Sequence, residues 1–298
     1  MTDRTSLPEP LTNRLRTNAA NLARGIERRR EGEPHTPCPS VPLSLLLSLT
    51  LSLCLALLLT ACAASTQPVV KIGLVAPFEG RYRHIGYEAV YAARLAIREI
   101  NARGGIDGYR IELVALDDRG EPGKAVTAAR QLALDPQVVA VVGHLQPDST
   151  DAALKIYCEA GLPVIAMESA AKACDGAYVM GSAPRDRWRE DQMIFVSNVP
   201  DPNGLSTAQD FVKNYNAIPI DGARAGPIAL QTYDAMNLLF AAIARAERID
   251  RGGVQAALRQ SDFSGLGAKY TFDQLGNLLD PQTYVFEYDK NRQPHLIP

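Results

Sequence analysis

Three regimes of hydrophobic patterning divide the chain. Residues 41–61 are almost continuously apolar, broken by Pro42 and the weakly polar Ser44, Ser48, Thr50, Ser52 and Thr60. From Val69 to Met167, short β-branched runs alternate with stretches whose apolar residues recur every third or fourth position. Beyond residue 186 helical periodicity dominates. The run from Val69 to Val75 predicts a buried strand. In the next stretch, 86–103, Val90, Ala93, Ile97 and Ile100 share one helical face, and Gly104-Gly105 supplies its stop. Strands follow at 109–116, 138–142 and 164–167, with helices at 124–134 and 148–160 between them. In the second half the pattern predicts a short strand at 194–196 and helices at 205–215 and 227–246. The second of these carries Ala229, Tyr233, Met236, Phe240 and Ile243 as its core stripe. A third helix, capped by Asp250, runs to Arg259. Two closing strands, 268–272 and 283–288, flank a hairpin-like turn at Asp273–Asn277.

Alternating strands and helices imply an α/β fold with a parallel, doubly wound sheet. Such sheets bind ligands beyond the carboxyl ends of their strands. The loops expected to face a ligand are therefore 76–86, 117–123, 143–149 and 167–173.

Composition adds compartment rather than fold. The 298 residues are 46% hydrophobic and 21% charged, ordinary for a globular chain, and the net charge of −2 offers no footprint for nucleic acid. Arg28, Arg29 and Arg30 precede the apolar run, which ends in Leu59-Thr60-Ala61-Cys62 and then small residues. A positive region, an apolar core and a small-residue exit read as a secretory signal. The ending resembles a bacterial lipoprotein box, which implies acylation of Cys62 and cleavage before it. An uncleaved anchor is the alternative, because about 20 apolar residues suffice to span a bilayer. The first 40 residues are long and Arg-rich for a signal, and are expected to be disordered or absent from the product. Of the five cysteines, Cys38 and Cys54 fall in the leader and Cys62 takes the lipid. Cys158 and Cys174 remain, either as a disulfide or as two buried thiols.

Several segments carry a family resemblance: Val69–Pro77, Ile100–Gly108, the Asp117-Asp118 pair, Tyr233-Asp234-Ala235, Phe263-Ser264-Gly265 and Phe272-Asp273 with Gly276. In this order they resemble the leucine/isoleucine/valine-binding family, the type I periplasmic-binding-protein-like lipoproteins that serve branched-chain amino-acid ABC transporters. The resemblance implies a signal segment at 1–61, a lipid-anchored linker at 62–68, a complete first lobe at 69–185 and an abbreviated second lobe with C-terminal helices at 186–298. About 100 residues, three strand–helix units of the second lobe, are missing relative to the family. The implied partners are a small amino-acid-like ligand, the permease and ATPase subunits of an ABC importer, and a membrane reached through the lipid anchor. No catalytic residue, metal or cofactor is implied.

Where the family offers a serine hydroxyl to the ligand carboxylate, this chain has Pro147, which has neither hydroxyl nor N–H. The expected ligand-binding set is Gln146, Asp148, Ser149 and Thr150 at the start of the third helix, with Glu168, Ser169 and Ala170 after the fourth strand. Ser149 and Thr150 stand in for the serine, and Glu168 attracts an ammonium. Each has a plainer alternative: Asp148 and Ser149 as helix caps, Glu168 as a solvent-facing charge. His144 is expected to pack, Asp117 and Asp118 to cap loops, and Tyr233 to lie in the core.

The leading function is thus an extracytoplasmic solute-binding lipoprotein for amino-acid uptake. The alternative is a non-transporting sensor or interaction module on the same fold, or a degenerate paralogue without a ligand. An enzyme is disfavoured, since no Gly-x-Gly-x-x-Gly follows the first strand and no Gly-x-Ser-x-Gly elbow occurs.

Overall fold

The computed structural model describes Pro42, Ser44 and Ser48, and residues 67–169, 174–181, 194–220, 224–290 and 294–297. Thr66–Pro298 forms one compact unit. The expected leader and Cys62 lie outside the described residues, those three positions apart.

Five strands build the main sheet: β1 (Val69–Ala76), β2 (Arg110–Asp117), β3 (Val138–Gly143), β4 (Val164–Ala166) and β5 (Ala177–Val179). Their order is β2-β1-β3-β4-β5 and every pairing is parallel. Helices α1 (Arg83–Ala102), α2 (Pro122–Leu134) and α3 (Pro147–Glu159) make the crossovers. Crossovers on both faces require strands buried on both sides, and β3 is buried along its whole length. Val70, Ile72 and Leu74 point to α1, while Val75 and Val141 meet Ala125, Leu132, Leu154 and Tyr157 of α2 and α3. A bulge at Val139, where Lys71 pairs with Val138 but Ile72 with Ala140, shifts the register of β3. Gly104 and Gly105 both take positive φ after α1, and the Gly105 amide donates to Ile100 O, as the stop predicted.

The second half returns to this sheet. After two 3-10 turns come α4 (Gln209–Asn216), α5 (Pro227–Arg245) and α6 (Arg251–Arg259). Residues Met236, Phe240 and Ile243 of α5 share one core with β1, β3 and α1. Tyr233 is only partly buried, and its hydroxyl donates to Glu99 Oε2 at 2.5 Å. Asp250 caps α6 through the Gly253 amide, as expected.

The hairpin-like turn at Asp273–Asn277 is formed, with Phe272 and Leu278 bridged antiparallel across it, but the two strands expected to flank it do not pair with each other. β8 (Lys269–Thr271) pairs instead with β7 (Asp262–Ser264), and β9 (Tyr284–Tyr288) lies between β6 (Ile194–Ser197) and β10 (Pro294–Ile297) in an antiparallel sheet. The Asp273–Asn277 turn docks on the open edge of β5, where Val179 N donates to Gly276 O and Leu278 N to Val179 O. Sequential strands usually pair, but here the free edge of β5 recruits the turn between them.

A disulfide joins Cys158, in the last turn of α3, to Cys174 ahead of β5, with Cα atoms 6.3 Å apart. It closes a loop of 16 residues, so removing it relieves a constraint on the unfolded chain worth about 3 kcal/mol. The Cys158→Ser/Cys174→Ser variant is expected to melt roughly 6–12 °C lower by circular dichroism. An unchanged melting temperature would show that the bond adds nothing to the fold.

Candidate functional site

The carboxyl edge of the sheet is organised by two aspartates at the end of β2. Asp117 Oδ1 accepts from the amides of Phe78 (2.7 Å), Glu79 (3.3 Å) and Arg119 (2.9 Å), tying the loop after β1 to its own. Asp118 is fully buried, and its Oδ1 accepts from Gly120 N at 2.9 Å. Its Oδ2 lies 2.6 Å from Nδ1 of the equally buried His144, whose Nε2 is 3.1 Å from the Tyr157 hydroxyl. Burial, and secondarily the charge of Asp118, push the Tyr157 phenol well above its ordinary pKa. Both aspartates therefore brace loops and His144 packs. The sealing of Asp118, His144 and Tyr157 in the core denies a substrate access to what otherwise looks like an acid–base relay.

Helix α3 begins beside them. Gln146 is its N-cap, in extended conformation, and Pro147 occupies the first helical position, where its missing N–H costs nothing. Neither Asp148 nor Ser149 is the N-cap: both lie inside the first turn, and the Gln146 side chain makes no capping hydrogen bond. Asp148 is exposed, where its charge complements the helix dipole. Thr150 is buried and its hydroxyl faces backward, donating to Gln146 O (3.0 Å) or His144 O (3.3 Å). Ser149 is fully buried, yet its Oγ meets no hydrogen-bonding partner among the described residues, and neither do Oε1 and Nε2 of Gln146.

The loop after β4 completes this wall. Ser169 Oγ donates to Asp151 Oδ1 at 2.7 Å, fastening the loop to α3. Glu168 is 3% exposed, so it does not face solvent. Ala170 lies outside the described residues. Gln231 of α5, which the pattern did not single out, reaches the same loop by donating from Nε2 to Met167 O at 3.4 Å. Its only signal was a Gln-Thr pair within an otherwise apolar helical turn. A separate depression of about 520 Å³, lined by Asp175, Tyr178, Arg259 and Leu275, lies at the amino end of β5, away from this wall.

Residues 69–189 match the family described as Periplasmic binding protein. Over 96 residues the chain is 41% identical to an amino acid binding protein of Pseudomonas aeruginosa and 33% identical to the Leu/Ile/Val-binding protein of Escherichia coli. Each match takes in 32% of this chain and 26% of the relative, so the chain spans about a quarter of the length of these curated relatives. Among solved structures, the substrate-binding protein LivJ of Streptococcus pneumoniae, in complex with isoleucine, superposes with a TM-score of 0.63 at 17% identity, covering 77% of this chain and 99% of that one. The leucine binding protein LivK of Thermotoga maritima gives 0.63 at 14% identity over 77% and 98%. Residues 69–189 are thus similar to the periplasmic binding protein family, and the shared order of strands, crossovers and carboxyl-edge loops gives the chain the type I periplasmic-binding-protein α/β fold.

Proposed function

We propose that the chain is an extracytoplasmic solute-binding lipoprotein that captures an amino acid of the branched-chain type for an ABC importer. One observation carries the reading: among the described residues, the buried Gln146 carboxamide and Ser149 hydroxyl have no hydrogen-bonding partner at the start of α3, on the edge of the sheet where such folds bind ligands. Matching relatives named for amino-acid and Leu/Ile/Val binding support the ligand class.

On this reading residues 1–61 are the leader, Cys62 carries the lipid and 62–68 form the linker. Residues 69–185 are the first lobe, and 186–298 an abbreviated second lobe with the C-terminal helices. Gln146 and Ser149 meet the ligand; Asp148, Glu168, Ser169 and Ala170 surround it, and Thr150 holds the turn from behind. Closure of the two lobes presents the loaded form to the permease and ATPase subunits.

A thermal-shift series with the branched-chain amino acids tests this. A ligand at one hundred times its Kd contributes about 2.7 kcal/mol, which raises the melting temperature by roughly 5–10 °C and more with added ligand. No shift with any of them would end the amino-acid reading. Pro147 favours a second reading, a sensor or interaction module on the same fold, because it withholds the hydroxyl and N–H that a serine there would offer. Under it, the chain captures a partner protein and shows no amino-acid shift.

A further inference from the structure

The carboxamide of Gln146, like that of Asn198, is one that the fold among the described residues does not explain. The residue is 6% exposed, and both its polar atoms are buried without partners among the described residues. It lies against Gly120, in the loop after β2, and close to the Tyr82 ring that precedes α1, so three carboxyl-edge loops meet around one amide. Within the first turn of α3, the Ser149 hydroxyl is orphaned in the same way. Buried polar groups are nearly always satisfied, and one left open is a cost that an apolar residue of similar volume would avoid.

Charged residues of both signs stand in the loops that meet at this amide, Asp118 and Arg119 beside Gly120 among them. The Arg81 guanidinium sits 5.9 Å from the centre of the Tyr82 ring. On the α3 and β4 side the charged residues are Asp148, Asp151 and Glu168. A carboxamide is itself divided, with Nε2 a donor and Oε1 an acceptor.

We propose that Gln146 determines specificity at this site, selecting a ligand group that carries an acceptor and a donor side by side, as the carboxylate and ammonium of a free amino acid do. A lone carboxylate satisfies Nε2 and the Ser149 hydroxyl but leaves Oε1 orphaned. A lone ammonium leaves Nε2 orphaned. The inference rests on the solute-binding reading and adds a residue and a chemical rule to it.

Titration calorimetry on the full chain with three probes of one skeleton tests it: L-leucine, 4-methylpentanoate, which lacks the ammonium, and 3-methylbutylamine, which lacks the carboxylate. Wild type is expected to prefer leucine roughly tenfold to a hundredfold over either, the range set by one orphaned buried group. Gln146→Met is expected to lose that preference. With no probe present, the same variant is expected to unfold in urea at the wild-type midpoint or above, because the amide serves the ligand rather than the fold. An undiminished preference in Gln146→Met, or a lowered midpoint in the free variant, overturns the inference and leaves the solute-binding reading standing. No binding of any probe by wild type overturns both.

Discussion

Replacing Arg251 with methionine is expected to lower the stability of the chain by about 3 kcal/mol, read as a fall in the urea midpoint. The residue opens α6, yet its guanidinium works on the amino edge of the main sheet. Its Nε donates to Val138 O (3.0 Å), Nη1 to Ala160 O (3.2 Å), and Nη2 to Asp135 O (2.8 Å), Ala133 O (3.0 Å) and, more weakly, Leu132 O (3.5 Å). These carbonyls belong to the last turn of α2, the start of β3 and the end of α3, where helices leave acceptors without intrahelical partners. One planar fork thus closes two helix ends and a strand entry together, and its charge complements the negative ends of both helix dipoles. Burial lowers the Arg251 pKa and nearby Asp135 opposes that, but a guanidinium stays cationic at any physiological pH. Methionine keeps the apolar stem and removes every donor. Lysine, a single ammonium, is expected to recover less than half of the loss. A methionine variant as stable as wild type would show that water replaces the guanidinium without cost.

Asp234→Ala is expected to cost about as much, roughly 3 kcal/mol, when measured at pH 5. From the first half of α5, Asp234 receives Leu266 N on Oδ1 (2.8 Å) and Gly267 N and the Tyr270 hydroxyl on Oδ2 (2.9 and 3.1 Å). Alanine strands these donors around a void. Burial raises the pKa of Asp234 to about 6, and the three hydrogen bonds hold it from rising further. Between the ordinary value of 3.8 and about 6 the folded state therefore binds a proton that the unfolded chain has released. The stability this proton contributes is complete below pH 4 and is lost as pH rises through 6, a change of about 2–3 kcal/mol. Urea midpoints from pH 4 to 7 are expected to fall more steeply for wild type than for Asp234→Asn, which cannot titrate. Parallel profiles would show that Asp234 ionises as freely in the fold as out of it.

These two residues mark where the sequence was legible. The crossovers of the main sheet follow from local periodicity, and β1 to β4 and α1 to α3 lie within three residues of where the pattern placed them. The Tyr233-Asp234-Ala235 and Phe263-Ser264-Gly265 segments signalled family, but not that the first grips the loop leaving the second. Arg251 reads along the chain as an ordinary first-turn cation, because its partners stand 91 to 119 positions away. Three-residue strands such as β5 and β7 carry too few positions to show a period, and their pairing follows from which sheet edge lies free. At the site, burial separated the expected residues. Thr150 looks inward, Glu168 is covered, and the orphaned Gln146 amide is evident only once the loops of three strands are brought together.

The packing of α5 and α6 on a sheet made of early residues sets a clock for folding. As the chain is synthesised, β1 to β4 are complete well before Met236, Phe240 and Ile243 exist to cover one of their faces, and before Arg251 exists to close their amino edge. Contacts this distant in sequence are slow to form and pay their loop-closure entropy first. The nascent chain therefore stays open until nearly all of it has been made, which suits the export across a membrane proposed above.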